Sequence, residues 1–118
     1  MGGVTMNVKE KQVAECFVDV VLRDPDKSIT VCGEGEGPDV ERSREHSTVL
    51  DNMGECDYDD VTVWSRKEHK YVAWFMFVYG NVEDDNFDSY PIEVISDYSS
   101  GEYADSIYNQ LEEMTSHD

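Results

Sequence analysis

The sequence predicts an α+β fold in one domain spanning residues 1–118: an N-terminal helix, an antiparallel sheet of three to five strands, and a C-terminal amphipathic helix. Two stretches, one near each end, repeat apolar residues at helical spacing. Between them lie short β-rich runs punctuated by turns. At 118 residues and 39% hydrophobic composition, the chain suffices for one core and leaves no room for a second.

The elements follow in order. Asn7-Val8-Lys9-Glu10 reads as an N-cap with Glu at N3. Val13, Cys16, Phe17, Val20 and Val21 then share one helical face, and Asp24-Pro25 ends the helix. Ser28 to Cys32 reads as a strand, Gly33 to Ser47 as a long loop, Thr48 to Met53 as a weak strand, and Gly54 to Asp60 as an acidic turn. Val61 to Ser65 and Lys70 to Tyr79 form a hairpin joined through Arg66-Lys67-Glu68-His69. On the second hairpin strand Val72, Trp74, Met76 and Val78 alternate with Tyr71, Ala73, Phe75, Phe77 and Tyr79, so both faces are apolar and cover on both sides is expected. For the Tyr71, Phe75, Phe77 and Tyr79 face, that cover is the 33–47 loop or a second copy of the chain. Val82 to Ser89 is a second acidic turn, and Tyr90 to Ser96 a further strand with Pro91 near its start. Ser99-Ser100-Gly101-Glu102 repeats the capping pattern, after which Ala104, Ile107, Tyr108 and Leu111 mark the last helix, and the residues from Thr115 on are expected to fray.

Charge narrows the function. Nine Lys and Arg stand against 27 Asp and Glu, a net charge of −18. This excludes direct nucleic-acid binding as the main activity, because phosphate contacts need cations, and it disfavours anionic membranes. The longest apolar run, Tyr71 to Tyr79, is about half of the roughly 20 residues a membrane helix requires. Met1 to Thr5 has neither a basic nor an apolar signal region, with Met6 an alternative start. Cys16, Cys32 and Cys56 are odd in number and fit reduced thiols better than disulfides. A cytoplasmic protein is expected.

The acids are not evenly spread. From Tyr71 onward there are eleven carboxylates and no Lys or Arg, whereas the portion before it nets −7. On the last helix Glu102, Asp105, Glu112 and Glu113 fall within an arc of about 100°, opposite the apolar stripe. Like charges at that spacing destabilise a helix by a few tenths of a kcal/mol each, and carboxylates about 5–6 Å apart approximate the spacing of strand phosphates. Such a ridge suits a strongly basic partner; the alternative is acidity that serves solubility or adaptation to salt. Tyr58 among Asp57, Asp59 and Asp60, and Phe87 and Tyr90 around Asp88, put rings inside the acidic turns, as binding surfaces do and as turns covering a core edge also do.

Catalytic and metal motifs fail on their own rules. Counted from Asp84, a calcium loop would need Gly at Ser89 and Glu at Ile95, leaving only a looser cation site at either acidic turn as an alternative. Cys32, His46, Cys56 and His69 lack zinc-ligand spacing and support a Cys/His catalytic pair no better. The glutamates of Gly33-Glu34-Gly35-Glu36-Gly37 repel phosphate, and carboxylate pairs are too abundant to single one out. No enzyme, metal or cofactor is expected.

A small acidic α+β domain with a bare carboxylate ridge resembles the anti-CRISPR proteins of phages and mobile elements, and more broadly the DNA-mimic inhibitors. Trp74-Phe75-Met76-Phe77-Val78-Tyr79-Gly80-Asn81 and Glu93-Val94-Ile95-Ser96-Asp97-Tyr98-Ser99 also resemble short phage-type reading frames, a likeness covering roughly the last 45 residues. The resemblance, one of charge and size, implies an inhibitor in the host-cell cytoplasm that occupies the basic groove of a nucleic-acid-binding protein or nucleoprotein, a CRISPR effector first. Asp57, Asp59, Asp60, Glu83, Asp84, Asp85, Asp88, Glu102, Asp105, Glu112 and Glu113 would stand in for phosphates, with Tyr58 and Phe87 among them. The alternative is a structural or regulatory homodimer formed through the aromatic strand face.

Overall fold

The computed structural model describes residues 8–33, 37–54, 58–79 and 94–115, without the side chains of residues 8, 9 and 115. The expected Asn7 cap, Cys56, the Val82–Ser89 turn with its calcium-loop-like run, the 90–93 start of a strand and the last three residues lie outside that set. In chain order the elements are α1 (Val8–Leu22), β1 (Lys27–Cys32), β2 (Val40–Ser43), α2 (His46–Asp51), β3 (Tyr58–Ser65), β4 (Lys70–Val78), β5 (Ile95–Tyr98) and α3 (Glu102–Thr115). The strands form one antiparallel sheet in the order β2-β1-β3-β4-β5, and the fold is α+β as the sequence predicts.

The helices make one layer: α1 contacts both α2 and α3, with α1 on β1 and α3 on β4. Val13, Phe17, Val20 and Val21 are buried at the predicted positions, and Cys16 is half-buried. Below them lies the inner sheet face, with Ile29, Val31, Val61, Val63, Ala73, Phe75 and Phe77 buried. Phe17 meets Phe75 and Phe77 edge-on, with ring centroids 5.0 and 5.2 Å apart. Tyr98 stacks between Phe75 and Tyr108, carrying the core across to α3. Each such buried ring contributes about 1.5–3 kcal/mol. Arg44 fastens the exit of α1: its guanidinium donates to the carbonyls of Leu22, at 3.1 Å, Asp24, at 2.9 Å, and Lys27, tying the last helical carbonyl to the turn that leads into β1.

Several expectations are corrected. The 33–47 stretch is not one loop, since Val40–Ser43 pairs with β1 as an edge strand and His46 opens α2. Thr48–Met53 is not a strand, because β-branched Thr48 and Val49 sit in a six-residue helix anchored by buried Val49. Its entry is held by Thr48 Oγ1, which donates to Glu45 Oε1 at 2.9 Å. The expected 54–60 turn gives way at Tyr58, where β3 begins three residues before Val61. The last strand, expected over Tyr90–Ser96, is β5 at Ile95–Tyr98.

Strand β4 has neighbours on both edges but is sealed on one face only. Ala73, Phe75, Phe77 and Tyr79 are buried on the helix side, whereas Val72, Trp74, Met76 and Val78 are half-buried. The cover for the Phe75 face is the helix layer, neither the 33–47 loop nor a second copy. A homodimer through that face therefore lacks the surface it would need. Tyr71 does not belong to that face either. Val63 pairs with Ala73 but Trp64 pairs with Tyr71, leaving Val72 as an extra residue, and this bulge turns Tyr71 to the side of Trp64.

Candidate functional site

The last helix carries the acidic ridge. Gly101 precedes α3, its carbonyl accepting from Asp105 N at 3.0 Å, so the cap falls there rather than at Ser99. Gly101 has φ +143°, a conformation that side chains disfavour, although nothing lies within 4 Å of where a Cβ would stand. Ser99 is used sideways instead: its Oγ accepts from Trp74 N at 3.0 Å while its own N donates to Trp74 O at 2.9 Å. With Ala104, Ile107 and Leu111 buried, helical geometry turns Glu102, Asp105 and Glu113 to solvent and leaves Glu112 half-buried. Burial, and then the charge of Glu112, pushes the Tyr108 hydroxyl up to about 12.

Among the described residues, Glu102, Asp105 and Glu113 have no cation within 4.0 Å. The ion pairs lie elsewhere: Arg23 with Asp19 at 2.6 Å, Lys27 with Asp24 at 3.1 Å and Asp26 at 3.0 Å, and Lys70 with Glu68 at 3.4 Å. Asp26 also accepts from Ser65 Oγ at 2.7 Å and Lys67 N at 2.6 Å. The Ser65 bond, with help from Lys27 and Lys67, holds its carboxyl down at about 2.

The other predicted carboxylates are not surface contacts of one kind. Asp59 is 1% exposed, and its Oδ2 accepts from Tyr79 Oη at 2.7 Å and Gly54 N at 2.9 Å. It faces the core opposite Phe77, and it is a structural acceptor rather than a phosphate stand-in. Burial, reinforced by the Asp59 charge, pushes the Tyr79 hydroxyl up, so it remains a donor. Alternation along β3, with Asp59, Val61, Val63 and Ser65 all buried, is the signal that would have placed Asp59 inside. Asp60, on the other face, accepts from Trp74 Nε1 at 3.1 Å, and neighbouring Tyr58 is half-buried. Asp57, Glu83, Asp84, Asp85, Phe87 and Asp88 lie outside the described residues.

Sequence reasoning did not find a second feature, the outer face of the sheet. A bulge pairs Ile29 with Ser43 and Val31 with Val40, and within it Arg42 adopts φ +50°. Arg42 Cζ lies 3.6 Å from the centroid of the Trp64 ring and 5.7 Å from that of Tyr71, whose rings meet edge-on at 4.8 Å. Beside this stack, Thr62, Tyr71, Val72, Ala73, Trp74, Ser99 and Ser100 line an open cleft of about 310 Å³. No sequence motif marks it, because two bulges change the parity on which alternation depends.

Burial pushes the thiols of Cys16 and Cys32 up, with Asp19 adding to the first and Asp60 to the second, and a protonated thiol is a poor nucleophile. Among the described residues no three His, Cys, Asp or Glu side chains converge as a metal site would require. Nor is any described helix long and apolar enough to cross a membrane. Comparison with protein-family models, curated proteins and solved structures finds no match to the chain.

Proposed function

We propose that this chain is an inhibitor that binds the basic nucleic-acid-binding groove of another protein or nucleoprotein, presenting carboxylates in place of phosphates, with a CRISPR effector as the first partner to test. It would act in the cytoplasm of the cell holding that partner and would itself be no enzyme. The observation that carries the reading is the outer side of α3, where Glu102, Asp105 and Glu113 are exposed and no described cation lies within ion-pairing distance. An ordinary soluble surface intersperses both signs, and this one does not. Glu102 and Asp105 lie in the first turn of α3, where the helix dipole offsets their mutual repulsion, and a partner's Lys and Arg would add the counter-charge this surface lacks.

The test is competition. A CRISPR effector ribonucleoprotein is titrated with labelled duplex DNA in the presence of the protein, and then of the triple variant Glu102→Lys, Asp105→Lys, Glu113→Lys. Wild type should displace DNA, less so as salt rises, and the variant should lose competition by at least about tenfold. Lys11→Glu, at an exposed position of α1, serves as the control and should leave competition unchanged. A charge-reversed variant that competes as well as wild type at moderate salt removes α3 from the reading. Capture of basic nucleoproteins from a host lysate, with the same variant as the blank, extends the test to restriction, repair and nucleoid proteins.

A further inference from the structure

We propose that the cleft between Tyr71 and Trp74 on the outer sheet face is a binding site for a guanidinium group, the arginine side chain of a protein partner. The inference rests on the partner being basic, and it assigns that partner a specific contact away from α3. The molecule already shows the chemistry once: Arg42 lays its guanidinium over Trp64 at 3.6 Å, with Tyr71 as the second ring. A flat, weakly hydrated cation over an indole gains electrostatic attraction and apolar contact together.

The neighbouring cleft has the same parts in open form. Tyr71, 43% exposed, and half-buried Trp74 supply two aromatic walls, and the hydroxyls of Thr62, Ser99 and Ser100 can accept from a fork of N–H donors. The volume of about 310 Å³ admits an arginine side chain with room to spare. Charge favours a cation there. Among the described residues, Asp60 sits on the same face with Oδ1 on Trp74 Nε1, and exposed Asp97 pairs across from Met76 on that face, while the guanidinium of Arg42 is taken up by Trp64. Two bulges and a residue at φ +50° are needed to bring Arg42, Trp64 and Tyr71 together, and such irregularities gather where side chains are re-aimed for use.

The probe is arginine blocked at both ends, titrated into the isotope-labelled protein at low salt, with blocked lysine as the comparison. Blocked arginine should shift the Trp74 indole N–H and the Ser99 and Ser100 amides saturably, and blocked lysine should bind at least about fivefold more weakly. Tyr71→Ala and, as an isosteric change that spares the fold, Asp60→Asn should each weaken the arginine titration about threefold or more. Absence of saturable shifts, equal binding of lysine, or no response to either substitution overturns the proposal. The α3 triple reversal should leave these shifts at the cleft in place. Arginine binding without competition for the groove would thus defeat the inhibitor reading alone, and competition without arginine binding would defeat the cleft alone.

Discussion

The two faces of the sheet are made from the same strands by different means. On the inner face Ile29, Val31, Val61, Val63, Phe75 and Phe77 disappear under helices, so water exclusion does the holding. On the outer face Trp64, Trp74 and Met76 are half-exposed, and Trp74 is held by its indole bond to Asp60 and its backbone bonds to Ser99. Apolar character is alike on both sides of β4, yet only one side became core. The difference teaches that hydrophobic alternation locates a strand but not what covers it. The helix layer has room for one face, and the other is left for contacts of a more selective kind.

Inner-face changes should be the most damaging. Phe17→Ala removes the ring seated on Phe75 and Phe77 and should cost about 3–5 kcal/mol in urea unfolding, a large share of the ~5–15 kcal/mol expected of a whole domain. Next comes Tyr79→Phe, which takes one donor from buried Asp59 and should cost about 1–3 kcal/mol. Arg42→Ala on the outer face should cost only about 0.5–1 kcal/mol; a loss matching that of Phe17→Ala would erase the contrast. Arg42→Gly sharpens it further. Glycine is ordinarily worse than alanine within a strand, but at φ +50° the glycine variant should be at least as stable as the alanine one.

The smallest effect concerns pH and belongs to neither face. Asp26 has its pKa depressed from 3.8 to about 2 by Ser65 first, then Lys27 and Lys67. The folded chain therefore releases this proton more readily than the unfolded one. Its contribution is complete above about pH 4 and drains away as pH falls through 2. Melting temperatures from pH 5 to pH 2 should fall more steeply for wild type than for Asp26→Asn, the two curves converging at the acid end.

Reading the sequence located α1, β1, the β3–β4 hairpin and α3, because each carries enough apolar residues to fix its period. It missed β2, whose Glu41, Arg42 and Ser43 look like loop, since an edge strand with a bulge has only Val40 to bury. It misread α2, where two β-branched residues in a six-residue helix mimic a strand. For the candidate site, the acidic ridge on α3 was legible from helical periodicity alone. The burial of Asp59 was not, because its charge outweighed its place in the alternation, and the outer cleft was not, because bulges at Val72 and Arg42 reset which side chains are neighbours.

The partnership of α1 with α3 also has a consequence for biosynthesis. The ribosome releases α1 well before α3 exists, yet the two share one layer over one sheet. While the nascent chain lacks residues 102–115, Tyr98 has no Tyr108 to stack upon and the flank of α1 that α3 covers stays wet. Folding of this domain therefore waits on the synthesis of residues 102–115, and a chain stalled or cut short before them would present that apolar flank to chaperones and proteases instead of a finished surface.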